Sequence, residues 1–435
     1  MIQNLFQKPA AHCTLAYPIR TVLLAAASIA IFAANARADR SLFRPGNLVV
    51  SRSVYDSNPS NLVPGQVLPP NCTTPPGGCG TAIRDGTYPF VWNNDSVDGS
   101  FSITSKIFLD QITPDGSPVN TLEVPNSSQN GVFPSTDQMV TSFSSKSELA
   151  LNLSLDHQFL TFMGYFAPIN ALDVSNSNTP AAVDPTNPVP AAVLRVVASV
   201  DPTGKFKFTA TNAYSGNNGR AAILNNSDGA NFFYTAGNAG NGASPQPDGI
   251  IIGAGAQFIE PQNTALAAQN PPDPTPLGSF NITQLGNPPD KIGKDDNFRG
   301  LTIFNNVAYY TKGSGGNGIN TLYFVDSTGT ICTNASGIGL PSPSASLPVS
   351  PLAYNPSVLQ TKGLDPNNMC ILKLFPTALK STTAFPFGIW FASDTVVYVA
   401  DEGSGDNTFS ASTQQYTVAA AQTTAGLQKW VFDSR

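Results

Sequence analysis

The chain has 435 residues, 41% of them hydrophobic and only 11% charged, with a formal net charge of −6. The apolar residues, 26 Phe among them, suffice to bury a core and exclude a wholly disordered chain. The acidic balance argues against nucleic-acid binding, because such a surface repels phosphate backbones.

Residues 1–38 read as a secretory signal peptide. Lys8 and Arg20 precede an apolar run over residues 21–34, and Ala36-Arg37-Ala38 sets small residues at the two positions that matter for cleavage before Asp39. A membrane anchor is the competing interpretation, but these 14 residues fall short of the roughly 20 needed to cross a bilayer. No later stretch is long enough to span one, so the mature chain is expected to be secreted, into the periplasm or beyond it. Cleavage removes three cations and no acids, leaving nine more acids than bases. It also removes Cys13, and the four remaining cysteines are an even count that favours disulfides in an exported protein.

From residue 39 to residue 435 the pattern is that of one all-β domain. Asp outnumbers Glu by 24 to 4, which favours tight turns over helices. Three hairpins of one kind are marked by turn signals between β-branched or aromatic runs. Residues 107–112 lead through Thr113-Pro-Asp-Gly116 to residues 119–124, and residues 194–200 lead through Asp201-Pro-Thr-Gly204 to residues 205–209. Residues 322–325 lead through Asp326-Ser-Thr-Gly329 to residues 330–333. In each, Gly closes the turn where positive φ is often required.

A second unit recurs four times, as ELALNLSLDHQFLTFMGY from Glu148, RAAILNNSDGANFFYTAG from Arg220, RGLTIFNNVAYYTKG from Arg299 and GIWFASDTVVYVADEG from Gly388. Each has an apolar strand, an Asn- or Asp-centred turn and a strand of Tyr, Phe and Val ending near Gly. The starts lie 72, 79 and 89 residues apart. Two hairpins per repeat, with no helical periodicity, predict a β-propeller of four-stranded antiparallel blades. The spacing exceeds the usual blade of about 40 to 50 residues, and the excess falls in Pro-rich loops near residues 59–89, 168–190, 245–289 and 341–356. A pair of β-sandwich domains is the alternative.

Several of these segments resemble a known group. GNLVVSRSVYD (residues 46–56), IFLDQITPDGSPVNTLEVP (residues 107–125), LRVVASVDPTG (residues 194–204), AYSGNNGRAAILNNSDG (residues 213–229), PFGIWFASDTVVYVADEG (residues 386–403) and GLQKWVF (residues 426–432) are similar to a widespread group of secreted bacterial β-propeller-like proteins. The resemblance covers nearly all of residues 44–432 and implies a fold. It carries over no catalytic position, since the group has no agreed activity. The chain departs from the group in its longer Pro-rich insertions and in stopping soon after GLQKW, which raises the expectation of a C-terminal truncation.

Chemistry-bearing residues are few. His157 is the one histidine after residue 38, and it falls in the turn of LSLDHQFL, where a surface role is expected. Neither a histidine-based zinc site nor a nucleophile elbow is written in the chain. GSGGNG (residues 313–318) matches a dinucleotide-loop spacing, but a strand is expected after it where that motif needs a helix. Cys72 and Cys79 are expected to pair locally, and Cys332 with Cys370 across a longer insertion, one of three connectivities open to four cysteines.

Acidic loops are the remaining candidates. Asp401, Glu402 and Asp406 follow a strand in ADEGSGDN, and Asp95 with Asp98 and Asp295 with Asp296 lie in similar loops. Such oxygen-rich, Gly-containing loops suit Ca²⁺, although ordinary turn chemistry explains them too. No cofactor is firmly implied. Two function classes follow: an extracellular or cell-surface binding or scaffold module for a polymer or protein surface, or an extracellular hydrolase or lyase working through carboxylates, with calcium as its one candidate ion.

Overall fold

The structure is a computed structural model. It describes residues 41–433 apart from 57, 62, 69, 71–79, 82–102, 133–137, 143–148, 181–190, 239–254, 262–274, 277–296, 314–318, 332–336, 350–368, 379–383, 404–408, 411, 414 and 417–424. The signal-peptide segment, Cys13, Cys72, Cys79, Cys332, Asp406, the loops with Asp95, Asp98, Asp295 and Asp296, and most of the GSGGNG and Pro-rich stretches therefore lie outside the described residues.

The chain is all-β and forms a five-bladed β-propeller, not a pair of sandwiches. Blade 1 contains β1 (Leu48–Val54), followed by a short separate hairpin of β2 (Val67–Leu68) and β3 (Gly80–Thr81), then β4 (Thr104–Ile112), β5 (Pro118–Glu123) and β6 (Thr141–Ser142). Its order is β1-β4-β5, with β6 also on β4. Blade 2 is a meander of β7 (Asn152–Leu153), β8 (Leu160–Tyr165), β9 (Arg195–Val200) and β10 (Phe206–Thr211). Blade 3 repeats the meander with β11 (Gly219–Asn225), β12 (Phe232–Gly237), β13 (Ala256–Ile259) and β14 (Thr275–Pro276).

Blade 4 has β15 (Gly300–Phe304), β16 (Val307–Lys312), β17 (Thr321–Val325), β18 (Ile338–Gly339) and β19 (Met369–Leu372) in the order β15-β16-β17-β19-β18. Blade 5 pairs β20 (Pro386–Ser393) with β21 (Val396–Asp401) and, past a small hairpin of β22 (Phe409–Ser410) and β23 (Gln415–Tyr416), β21 with β24 (Gly426–Val431). All four copies of the second sequence unit are therefore the opening hairpins of blades 2 to 5.

Blades 1 to 3 have the expected four strands. Among the described residues, blade 4 gains β18, the one strand that pairs in parallel within a blade, and blade 5 has three strands. A correction concerns residues 330–333. The turn after β17 forms as expected, with Gly329 at φ 64° and the Asp326 carboxylate accepting the backbone N–H groups of Thr328, Gly329 and Ile331. Thr330 and Ile331 do not continue as a strand; β19 takes the place beside β17, with Val325 opposite Met369. Met-Cys-Ile-Leu buries all four side chains there, which the more polar Thr-Ile-Cys-Thr would not.

The period-two alternation of strands builds the core between blades. Phe162 on β8 faces blade 1, among Val49, Ile107 and Leu109, whereas its neighbour Met163 faces Ala222, Leu224 and Phe233 of blade 3. Tyr310 on β16 packs with Ile223, Tyr234 and Phe258 of blade 3, and Tyr309 packs with Ile389, Val397 and Val399 of blade 5. Strands buried on both faces, β8, β9, β11, β16 and β17, are the consequence. The first strands of successive blades touch, β7 on β11, β11 on β15 and β15 on β20, and so lie innermost.

Blades 1 and 5 each leave groups of one kind exposed. Blade 1 presents the ion pairs Arg52–Asp110 at 2.6 Å and Lys106–Glu123 at 3.3 Å. Blade 5 presents Trp390, Leu427 and Val431, 47%, 74% and 62% exposed.

Candidate functional site

The tight turns that join the first two strands of blades 2 to 5 gather at one end of the propeller. In blade 4 the turn is Asn305-Asn306, both left-handed at φ 47° and 58°, a conformation Asn tolerates better than other non-glycine residues. In blade 2 His157 is left-handed at φ 59°, in the position that Gly229 occupies in the blade 3 turn at φ 83°. Ser154 holds the blade 2 turn, accepting the backbone N–H groups of Gln158 and Phe159 at 3.1 and 2.9 Å. The blade 5 turn is tied to that of blade 4 by the Asn305 amide, which donates to the Asp394 carboxylate at 2.7 Å.

Two adjoining cavities open among these turns. The larger, about 580 Å³, lies between blades 4 and 5 where the core around Tyr309, Ile389 and Val397 meets the surface. Its walls include Phe304, Tyr309, Phe375, Phe391, Trp430 and Phe432, and its rim carries Lys373 and Asp394. Trp430 stacks on Phe375 with centroids 4.6 Å apart and donates its indole N–H to Gln428 Oε1 at 2.9 Å. Burial, with the negative charge of Asp394 adding to it, pushes the Tyr309 hydroxyl up to about 12, so it stays neutral at physiological pH.

The smaller cavity, about 310 Å³, sits where the innermost strands β7, β11, β15 and β20 converge. Asn152, His157, Thr302 and Trp390 line it with apolar groups from Leu153, Ile223 and Ile303. Phe304 and Phe391 stand between the two cavities and line both, stacked at 4.8 Å with rings only 7° from parallel. Phe391 also leans on Tyr309 at 4.5 Å.

The acidic loop singled out in the sequence lies elsewhere. Asp401 is the last residue of β21, and its carboxylate accepts the N–H groups of Phe385 at 2.9 Å, Gly403 at 2.8 Å and Gln428 Nε2 at 3.3 Å. Glu402 reaches Arg299 at 3.8 Å. A cation held by this pair would have to compete with those bonds, and among the described residues no group of three metal-ligating side chains converges.

Cys370 is fully buried in β19, and the chain's other cysteines lie outside the described residues. The buried arginines serve packing. Arg195 donates to the carbonyls of Val193, Ser177 and Asn217, and Arg220 to Asn297 and the Phe298 carbonyl.

Of the described residues picked out from sequence, His157 alone reaches a cavity. The aromatic residues that make the walls were not singled out. Their only trace in the sequence is that Phe304, Phe391 and Trp390 flank the hairpin turns. No family model matches the chain, and no curated protein matches it.

Proposed function

We propose that the protein is an exported, non-catalytic binding module of the secreted β-propeller-like kind, and that it holds its ligand at the end where the two cavities open. The observation that carries the proposal is the concave, aromatic-walled surface between blades 4 and 5, at a site whose shape is set by rigid strands and two tied turns. Asp394 is the one carboxylate on the walls of either cavity among the described residues, where glycoside hydrolysis needs two carboxyl groups about 5 to 9 Å apart.

Export and the disulfides belong to the same proposal. The N-terminal pattern supports cleavage before Asp39. Pairing of Cys370 with Cys332 is supported by Ile331, adjacent to Cys332 in sequence, which packs against the cluster that contains Cys370.

Titration of the full chain with 8-anilinonaphthalene-1-sulfonate tests the binding surface. Saturable binding is expected, and Leu374→Asp, at a cavity residue 62% exposed, should abolish it while leaving the melting temperature within about 2 °C. Absence of saturable binding, or binding indifferent to Leu374→Asp, would remove the proposal's support.

A further inference from the structure

We infer that the smaller, central cavity is a site for a single neutral pyranose unit, stacked on Trp390 and hydrogen-bonded by the innermost strands. The inference rests on the protein being a binding module and adds the ligand class. Polar side chains of Asn152, His157 and Thr302 line this cavity beside Trp390. Thr302 and Asn152 are only 8% and 2% exposed and line the cavity, which is where a ligand hydroxyl can reach them. Ser154, by contrast, is already committed to Asp156, Gln158 and Phe159.

The lining sets the ligand's character. Among the described residues it holds no Lys, Arg, Asp or Glu, so a charged group would meet no such counter-charge there while losing its hydration. A flat apolar surface is offered beside these donors and acceptors, because Trp390 is 47% exposed while its far side rests against Tyr398 at 6.0 Å. A pyranose has this two-faced form, a ring of equatorial hydroxyls around patches of C–H. The cavity's volume of about 310 Å³ is at the lower end of the range of about 300–1,000 Å³ for small-ligand sites, which favours one ring over a chain.

Isothermal titration calorimetry and tryptophan fluorescence on the full chain test this with the methyl glycosides of glucose, galactose and mannose, N-acetylglucosamine and, as the charged arm, glucuronate. At least one neutral sugar should bind saturably and shift the fluorescence, with glucuronate weaker by about tenfold or more. Trp390→Ala should weaken binding by about tenfold, and Thr302→Val, which keeps shape and burial, by about three- to tenfold. Arg52→Gln, in the exposed ion pair of blade 1 that lines neither cavity, should leave sugar affinity unchanged. No saturable binding by any neutral sugar, equal binding of glucuronate, or affinity indifferent to both Trp390→Ala and Thr302→Val would each overturn the inference. If anilinonaphthalene sulfonate still binds the larger cavity in the same sample, only the sugar assignment falls; if it does not, the binding-module proposal falls with it.

Discussion

The wall between the two cavities is the feature on which the site's shape depends, and Phe391→Ala removes half of it. Phe391 stacks on Phe304 at 4.8 Å, leans on Tyr309 at 4.5 Å and packs against the core between blades 4 and 5. Truncating a core Phe to Ala costs about 3–5 kcal/mol. This ring borders a cavity on each side and so has fewer neighbours to lose, which puts the expected loss near the lower bound, about 3 kcal/mol. The stacked pair itself should contribute about 0.5–1.5 kcal/mol of coupling.

Urea unfolding of the wild type, Phe304→Ala, Phe391→Ala and the double variant closes a cycle that measures that coupling directly. Phe391→Leu, which refills most of the volume, should recover more than half the loss. A loss below about 1 kcal/mol, or single-variant effects additive within about 0.3 kcal/mol, would show that the two rings do not form a common wall.

Gly300→Ala should destabilise by about 1–3 kcal/mol in the same assay, because a Cβ there would lie 2.2 Å from the Phe387 carbonyl oxygen of blade 5; a neutral effect would contradict the blade 4–blade 5 approach. Burial pushes Tyr234 and Tyr309 up to about 12 and Tyr214 and Tyr310 upward as well. Their folded forms keep a proton that the unfolded chain loses near pH 10, so stability should be intact below about pH 10 and fall as pH rises towards 12. Spectrophotometric titration should accordingly show these tyrosines ionising only with unfolding, and early, reversible ionisation of all twelve would refute their burial. Non-reducing peptide mapping should find Cys370 joined to Cys332, and a peptide joining Cys370 to Cys72 or Cys79 would refute that pairing. Mass spectrometry of exported protein should place the mature N-terminus at Asp39, and retention of upstream residues would count against the signal peptide.

What the sequence determined by itself is local. The turns at Thr113–Gly116, Asp201–Gly204 and Asp326–Gly329 form where they were expected, because the φ preferences of Gly and the short reach of Asp act within four residues. The repeated opening hairpins are legible for the same reason, whereas burial of both faces of β8, β11 and β16 follows from the blades packed on either side of them.

Tertiary structure decided what depends on partners far along the chain. Val325 could not announce that its neighbour would be Met369 instead of residues just past the turn, since that choice is made by burial of Met-Cys-Ile-Leu against two blades at once. The sequence put Asp401 in an acidic loop, and only the fold brought the backbone N–H groups of Phe385 and Gly403 to its carboxylate. The cavities were invisible in sequence because a concave surface is made by the spacing between blades, and no run of residues within one blade encodes that gap.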